Sequence, residues 1–244
     1  MSNEKNEAYT PVKEPYNYAQ VNGTITHMMF REDPKQCQIT VLTPYVRVVR
    51  GKNMPNYDFS SNYTTVIFFD DAVDYVKEKR FKVDDNVTIQ GEMRSYKDKA
   101  TGKHLQNIKG TGIIFAESPI NKQMGEARGK NPADPFSMIL LRGQIKSAIY
   151  KNNWSDLVGR PRAVSLLVNV GRGNIENKIA VDYYMNTKAR QQRELKPGMW
   201  VSIYGAMKSR SGHIKDKKVV FNNLVAKELI LHDFPEDEES SEKK

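Results

Sequence analysis

Residues 87–95 read Val87-Thr88-Ile89-Gln90-Gly91-Glu92-Met93-Arg94-Ser95, and residues 201–209 read Val201-Ser202-Ile203-Tyr204-Gly205-Ala206-Met207-Lys208-Ser209. Val, Ile, Gly, Met and the final Ser coincide, and the remaining pairs include Thr/Ser and Arg/Lys. The offset is 114 residues. Apolar residues at every second place predict a strand. A strand repeated at such a distance predicts a chain built from two copies of one domain. A second pair of stretches agrees. Val21-Asn22-Gly23-Thr24-Ile25-Thr26 is answered by Leu141-Arg142-Gly143-Gln144-Ile145-Lys146, at an offset of 120. Each has a glycine two residues before an isoleucine, and a glycine inside a strand marks a bend, as at a barrel corner.

The length of 244 residues fits two domains of about 100 residues each. No apolar run approaches the roughly 20 residues that span a bilayer. The first 20 residues carry Glu4, Lys5, Glu7, Lys13 and Glu14 and no apolar core, so they do not read as a signal peptide. A single cysteine, Cys37, excludes an internal disulfide and fits a reducing compartment. Its strand-like surroundings mark it as a small core hydrophobe. The net charge is +9, but Asp233 to Lys244 holds six acids and two lysines. The rest carries 36 basic and 23 acidic residues, a balance of +13. A basic body suits a polyanionic partner.

The order of elements repeats as well. Residues 1–17 are polar, with Pro11 and Pro15, and read as a flexible arm. The Gly23 strand comes next, then a turn at Arg31 to Gln36, then a strand from Cys37 to Arg50 in which Pro44 predicts a bulge or an early end. Gly51 to Asn62 reads as a polar loop and Tyr63 to Phe69 as a third strand. Asp71 to Phe81 has helical spacing, with Asp70 or Asp71 placed to cap it. The repeated strand follows, then a charged tip from Tyr96 to His104, and Leu105 to Phe115 ends the first unit. Residues 119–134 are rich in Pro, Gly, Asn and charge and read as a linker. Beyond them the strands are Met138 to Ile149, Ala163 to Gly171 and Lys178 to Tyr184. A short basic helix is expected over Asn186 to Leu195, then the repeated strand, a tip from Ser209 to Lys218, and a last strand to Leu231. The expected organisation is an arm (1–17), one unit (18–118), the linker (119–134), a second unit (135–232) and an acidic, disordered tail (233–244).

Each half therefore reads β-β-β-α-β-β. That is the order of the OB-fold, a small, partly open five-stranded barrel that binds oligonucleotides on one face and its loops. The expected class is mainly all-β: two tandem OB-fold barrels, each with a short helix between its third and fourth strands. Tyr63 to Val76, Asn86 to Tyr96 and Lys99 to Lys103 together resemble the bacterial and phage single-stranded-DNA-binding protein family from its third strand to its fourth–fifth hairpin. The match covers about 45 residues of the first half, and it reaches the second half mainly through the internal repeat. In that family, aromatic side chains on the third strand stack on bases. By position these fall on Tyr63 and Phe69, which share one face with Thr65 and Ile67. In the second half Tyr184 shares the polar face with Lys178, and Tyr183 turns to the core. The family's first aromatic falls near Lys178 or Asn177, where no aromatic stands.

Binding a single strand without sequence preference takes cations spaced along the backbone and aromatic planes for the bases. The first half supplies Tyr45, Arg47, Arg50, Lys52, Tyr57, Phe59, Tyr63, Phe69, Arg94, Tyr96, Lys97, Lys99, Lys103 and His104. The second supplies Tyr150, Trp154, Arg172, Tyr184, Lys208, Arg210 and Lys215, with Lys151, Arg160 and Arg162 beside them. Tyr63 and Phe69 serve either stacking or packing. Trp200 and Tyr204, opposite Val201 and Ile203, serve packing between domains or subunits, or contact with DNA.

Nothing in the chain reads as an enzyme. No Walker-type glycine loop is present, and Gly171-Arg172-Gly173 lacks the glycine that a dinucleotide loop needs next. His27, His104, His213 and His232 are scattered, so no metal site and no cofactor are expected. Asp70-Asp71 and Asp84-Asp85 suit a helix start and a turn. The expected function is a protein that coats and protects single-stranded DNA in replication, recombination and repair. Its expected setting is the cytoplasm of a bacterium or a phage-infected host, with the nucleoid. The alternatives are an RNA- or tRNA-binding OB-fold chaperone and an OB-fold protein-assembly factor. The expected partners are single-stranded DNA, replication or recombination proteins that meet the acidic tail, and a second copy of the chain in a homodimer. No membrane is among them.

Overall fold

The computed structural model describes residues 13–50, 55–97, 104–116, 137–151, 162–185, 194–214 and 217–234. In chain order its elements are β1 (Tyr16–Glu32), β2 (Lys35–Arg50), β3 (Pro55–Phe69), α1 (Asp71–Glu78), β4 (Asn86–Lys97), β5 (His104–Phe115), β6 (Ser137–Lys151), β7 (Arg162–Asn169), β8 (Lys178–Met185), β9 (Trp200–Ile214) and β10 (Lys217–His232). The repeated sequence forms β4 and the first part of β9.

The two glycines that open the repeat explain how each barrel closes. β1 pairs with β4 from Ala19 to Thr24 and with β2 from Thr24 to Glu32, with a register shift between Ile25 and His27. β6 pairs with β9 from Ile139 to Gln144 and with β7 from Gln144 to Lys151, shifting between Ile145 and Ser147. One bent strand thus serves two neighbours in each unit. At the bend the next strand passes so close that a Cβ on Gly23 would lie 2.3 Å from the Leu42 carbonyl oxygen, and one on Gly143 2.2 Å from that of Asn169. Short parallel pairings, β3 with β5 and β8 with β10, complete the circuits. Both barrels have the OB strand order, first-second-third-fifth-fourth and back to the first.

Alternation fills the interiors. In β4, Val87, Ile89 and Met93 are buried while Gln90, Glu92 and Arg94 are exposed. In β7, Val164, Leu166 and Val168 point inward with Val170 just beyond the strand. Burying each such side chain stabilises by about 1.5–3 kcal/mol. α1 sits between β3 and β4 and buries Val73 and Val76. The expected aspartate cap does not form: Asp70 has φ 50° and its side chain makes no capping bond. Asp71 and Asp74 still place negative charge in the first turn, where the helix dipole favours it. The helix expected in the second unit falls almost wholly on 186–193, outside the described residues.

Other expectations need correcting, the first at the arm expected over 1–17: its last residues, Tyr16 and Asn17, begin β1 and pair with Arg142 and Leu141. Pro44 does not end β2, and 55–62 is strand rather than loop. β2 and β3 stay paired in unbroken register out to Arg50 and Pro55. β1 leaves β2 at Leu42, so at Pro44 one side of β2 has no neighbouring strand. A proline can stand there because it removes no ladder hydrogen bond from a central position. The expected tips also shrink, because β9 and β10 pair to Ile214 and Lys217.

Cys37 lies in β2 and is fully buried. Burial pushes its thiol up to about 11, against a smaller opposing effect of the Lys77 charge. The thiolate is the reactive form. Iodoacetamide at mildly alkaline pH is therefore expected to leave native Cys37 unmodified and to label it in denaturant. Rapid labelling of the native protein, read by mass, would contradict this placement.

The units are joined by more than the stretch 119–134, which lies outside the described residues. β1 pairs antiparallel with β6, from Tyr16 against Arg142 to Val21 against Ser137, so one ten-stranded sheet runs through both barrels. Ala19 and Ile139 are partners in this ladder and equivalents under the offset of 120, so a pseudo-two-fold axis passes between them. A side-chain clamp is made twice about that axis. Asn177 Oδ1 accepts from the Ser95 N–H at 3.2 Å, and Asn62 Oδ1 accepts from the Ser209 N–H at 3.2 Å. Ser95 and Ser209 are the last matching residues of the quoted repeat. Asn177 adds a further tie between the units, its Nδ2 donating to the Met93 carbonyl at 2.8 Å.

Candidate nucleic-acid interface

β3 alternates strictly. Asn62, Thr64, Val66 and Phe68 are buried; Tyr63, Thr65, Ile67 and Phe69 form the outward face. Tyr63 is 40% exposed. Phe69 is half-buried, and the Arg94 guanidinium lies 5.1 Å from its ring centre. That cation–π contact sets a charge beside an aromatic plane. The Tyr63 backbone N–H donates to Ser209 Oγ at 2.8 Å, so the inter-unit clamp also fixes the start of this face.

β8 repeats the alternation with a different outward set, in which a lysine stands where β3 has its first aromatic. Tyr183 is 7% exposed and Tyr184 56%. Lys178, Ala180, Asp182 and Tyr184 share the outward face by alternation. Val66 pairs with Ile108 as Val181 pairs with Leu224, which makes Lys178 the equivalent of Tyr63 and Tyr184 that of Phe69. Lys178 pairs with Glu176 at 2.6 Å, and this hydrogen bond holds the Glu176 carboxyl below its usual range. Both partners are exposed to solvent, so the pair contributes little to stability. Asp182 accepts from Ser165 Oγ at 2.5 Å.

Between the two faces lies a cleft of about 640 Å³. Thr65 and Ile67 line it from the β3 face, Lys178 and Ala180 from the β8 face, and Gln106 from β5. Gln106 crosses it: its Nε2 donates to the Ala180 carbonyl at 3.1 Å and its Oε1 accepts from the Ala180 N–H at 2.7 Å. The side-chain amide thereby satisfies the edge of β8 as a neighbouring strand would. None of these cleft residues was singled out by sequence reasoning apart from Tyr96, Thr65, Ile67 and Lys178. The available signal was the repeat itself, since its last shared residue, Ser95 or Ser209, sits at the clamp beside the cleft.

The other sequence-derived positions scatter. Tyr45, Arg47, Arg50, Tyr57 and Phe59 belong to the arm of paired backbone at the far end of β2 and β3. His104 begins β5, and Arg210 lies in β9 opposite Phe221. Tyr96 lines the cleft, and Lys97, Arg172 and Lys208 are exposed. Tyr150 packs against the second core, and its hydroxyl accepts from the Leu195 N–H at 2.8 Å. Lys52, Lys99, Lys103, Trp154 and Lys215 lie outside the described residues. Trp200 meets the Phe234 ring edge-on at 5.8 Å between centres, and Lys227 lies 5.2 Å from the Tyr204 ring centre. Among the described residues no group of acids, histidines and cysteine is placed to hold a metal, and no helix is long and apolar enough to cross a membrane.

No protein-family model and no curated protein matches the chain. Solved structures do. A deletion variant of the single-stranded DNA binding protein from Thermus aquaticus superposes with a TM-score of 0.64 at 13% identity, over 93% of this chain and 100% of that one. The wild-type protein from the same organism gives 0.62 at 11% identity, over 91% and 95%. At such identities the likeness is one of fold, and it spans both barrels.

Proposed function

We propose that this chain binds single-stranded DNA along the outward faces of β3 and β8. One observation carries the reading. Each barrel presents an outward-facing aromatic at the same place on its third strand, half-buried Phe69 beside Arg94 in the first and exposed Tyr184 in the second, and Tyr63 adds another exposed aromatic to the first. Bases stack on such planes whatever their identity, while the surrounding positive charge meets the phosphates. The two Thermus aquaticus proteins of the same fold are single-stranded DNA binding proteins by their own descriptions, which supports this ligand over RNA or a protein partner.

The finer reading is a protein that coats exposed strands in replication, recombination and repair, of bacterial or phage type and without catalysis. The site set begins with Tyr63, Phe69, Arg94, Tyr96 and Tyr184 and extends along the β2–β3 arm, with units at 18–118 and 135–232. The acidic stretch after Asp233 is offered as the contact for partner proteins, and a homodimer as the assembled form.

Phosphate neutralisation releases counterions, so the logarithm of affinity is expected to fall linearly with the logarithm of salt, by about 0.7 per phosphate contacted. Fluorescence anisotropy with dT, dA and mixed strands, a duplex and an RNA of equal length, each over a salt series, makes the test. Single-stranded DNA is expected to bind tightest, with little dependence on sequence. Tighter duplex or RNA binding, or a flat salt response, would sink the proposal.

A further inference from the structure

Building on the single-strand reading, we propose that the cleft between the units receives bases of the bound strand, so that one strand passes from the β3 face to the β8 face through it. Position is the first argument. Thr65 and Ile67 continue the face of Tyr63 and Phe69, and Lys178 and Ala180 continue that of Tyr184. The cleft is where the two faces meet. Its volume of about 640 Å³ lies in the range of small-molecule sites.

Chemistry is the second argument. Ile67, Leu105 and Leu167 offer apolar walls for the flat of a base. Asn107 is only 4% exposed, and its side-chain oxygen has no hydrogen-bond donor among the described residues; the same holds for the Asn222 side-chain oxygen. Both residues line the cleft. A buried acceptor without a partner is costly, and the exocyclic amino groups of bases are donors of the right kind.

The third argument is asymmetry. Equivalent pairings make Asn222 the counterpart of Gln106 and Thr65 that of Ala180. Gln106 reaches across and closes its side onto Ala180, whereas Asn222 is shorter by one methylene and leaves its oxygen unpaired. The two sides of the cleft thus differ: Gln106 bridges it at Ala180, and on the equivalent side Asn222 keeps an acceptor free of any donor among the described residues.

The test uses the full chain and Ala180→Phe. Ala180 is exposed, so the new ring fills the cleft without entering a core. Anisotropy is measured with oligo-dC of about 8 nucleotides, within the reach of one OB unit, and of about 30, which needs both. The long strand is expected to lose roughly 5- to 150-fold in affinity, the equivalent of one stacked base, while the short strand changes by less than about twofold. Asn222→Leu, which removes the unpaired acceptor, is expected to weaken the long strand in the same direction. It decides the matter if Ala180→Phe lowers the thermal midpoint. Unchanged long-strand affinity in these variants, or equal losses at both lengths, would overturn the cleft assignment and leave the proposed function standing. Failure of the unaltered chain to bind either strand would instead remove the proposed function itself.

Discussion

Replacing Tyr63 and Phe69 together by alanine is expected to weaken binding of single-stranded DNA by about 2–6 kcal/mol, or about 1–3 for each stacked base. The outward face of β3 presents both rings, and neither lies in the barrel core: the buried partner on that strand is Phe68, at 1% exposure. Tyr184→Ala in β8 is expected to cost about half as much, because its strand presents Lys178 where β3 presents Tyr63. All the variants are best made in the full chain. Cutting the units apart would expose the edge of β1 that now pairs with β6, and an unpaired edge invites association. Phe69 also holds Arg94 against its ring, so circular dichroism and thermal melting must show that the double variant keeps its fold. A folded double variant that binds as tightly as the parent would refute stacking on β3, and equal losses from the two faces would refute their ranking.

Gly23→Ala and Gly143→Ala are each expected to destabilise the protein by about 3 kcal/mol, near the upper end for overpacking. A methyl group at either place would meet a backbone carbonyl, of Leu42 or of Asn169, at under 2.5 Å. A side chain could rotate away; a ladder carbonyl cannot move without opening the strand pair that closes the barrel. Gly112→Ala is the control. Nothing lies within 4 Å of where its Cβ would stand, and the loss of chain freedom in the unfolded state is expected to leave stability unchanged or raise it by about 0.5 kcal/mol. Urea unfolding followed by fluorescence and circular dichroism makes the comparison. Midpoints for the Gly23 and Gly143 variants no lower than that of the Gly112 variant would show that the strands separate at the bend without penalty.

Local pattern carried much of this protein. The repeat at Val87 and Val201 is legible because side chains in a strand alternate with period two, and a buried face admits few residue types. It announces two units whatever the rest of the chain does. The same rule placed Tyr63, Ile67 and Phe69 on one side of β3, and separated Tyr183 from Tyr184, since each of these placements depends only on neighbours along the strand. Gly23 and Gly143 were readable as bends because only a residue without a Cβ tolerates that approach.

Pairing between distant segments was not readable. Pro44 predicts a bulge or an early end in β2 because sequence does not tell how many neighbours a strand has there; the departure of β1 at Leu42 supplies the answer. Gly51 to Asn62 reads as a loop because its polar residues show no buried face, although β2 pairs with it from Pro55 onward. Most of all, the ladder between β1 and β6, the Asn177–Ser95 and Asn62–Ser209 clamps and the Gln106 bridge join residues tens of positions apart. Each depends on backbone groups of one unit being satisfied by the other, and such bonds leave no periodic mark on either segment. The sequence by itself determined two barrels and the aromatic faces they carry. Only the tertiary structure decided that the barrels share a sheet and enclose a cleft, because that outcome rests on hydrogen bonds between surfaces whose composition is ordinary until they meet.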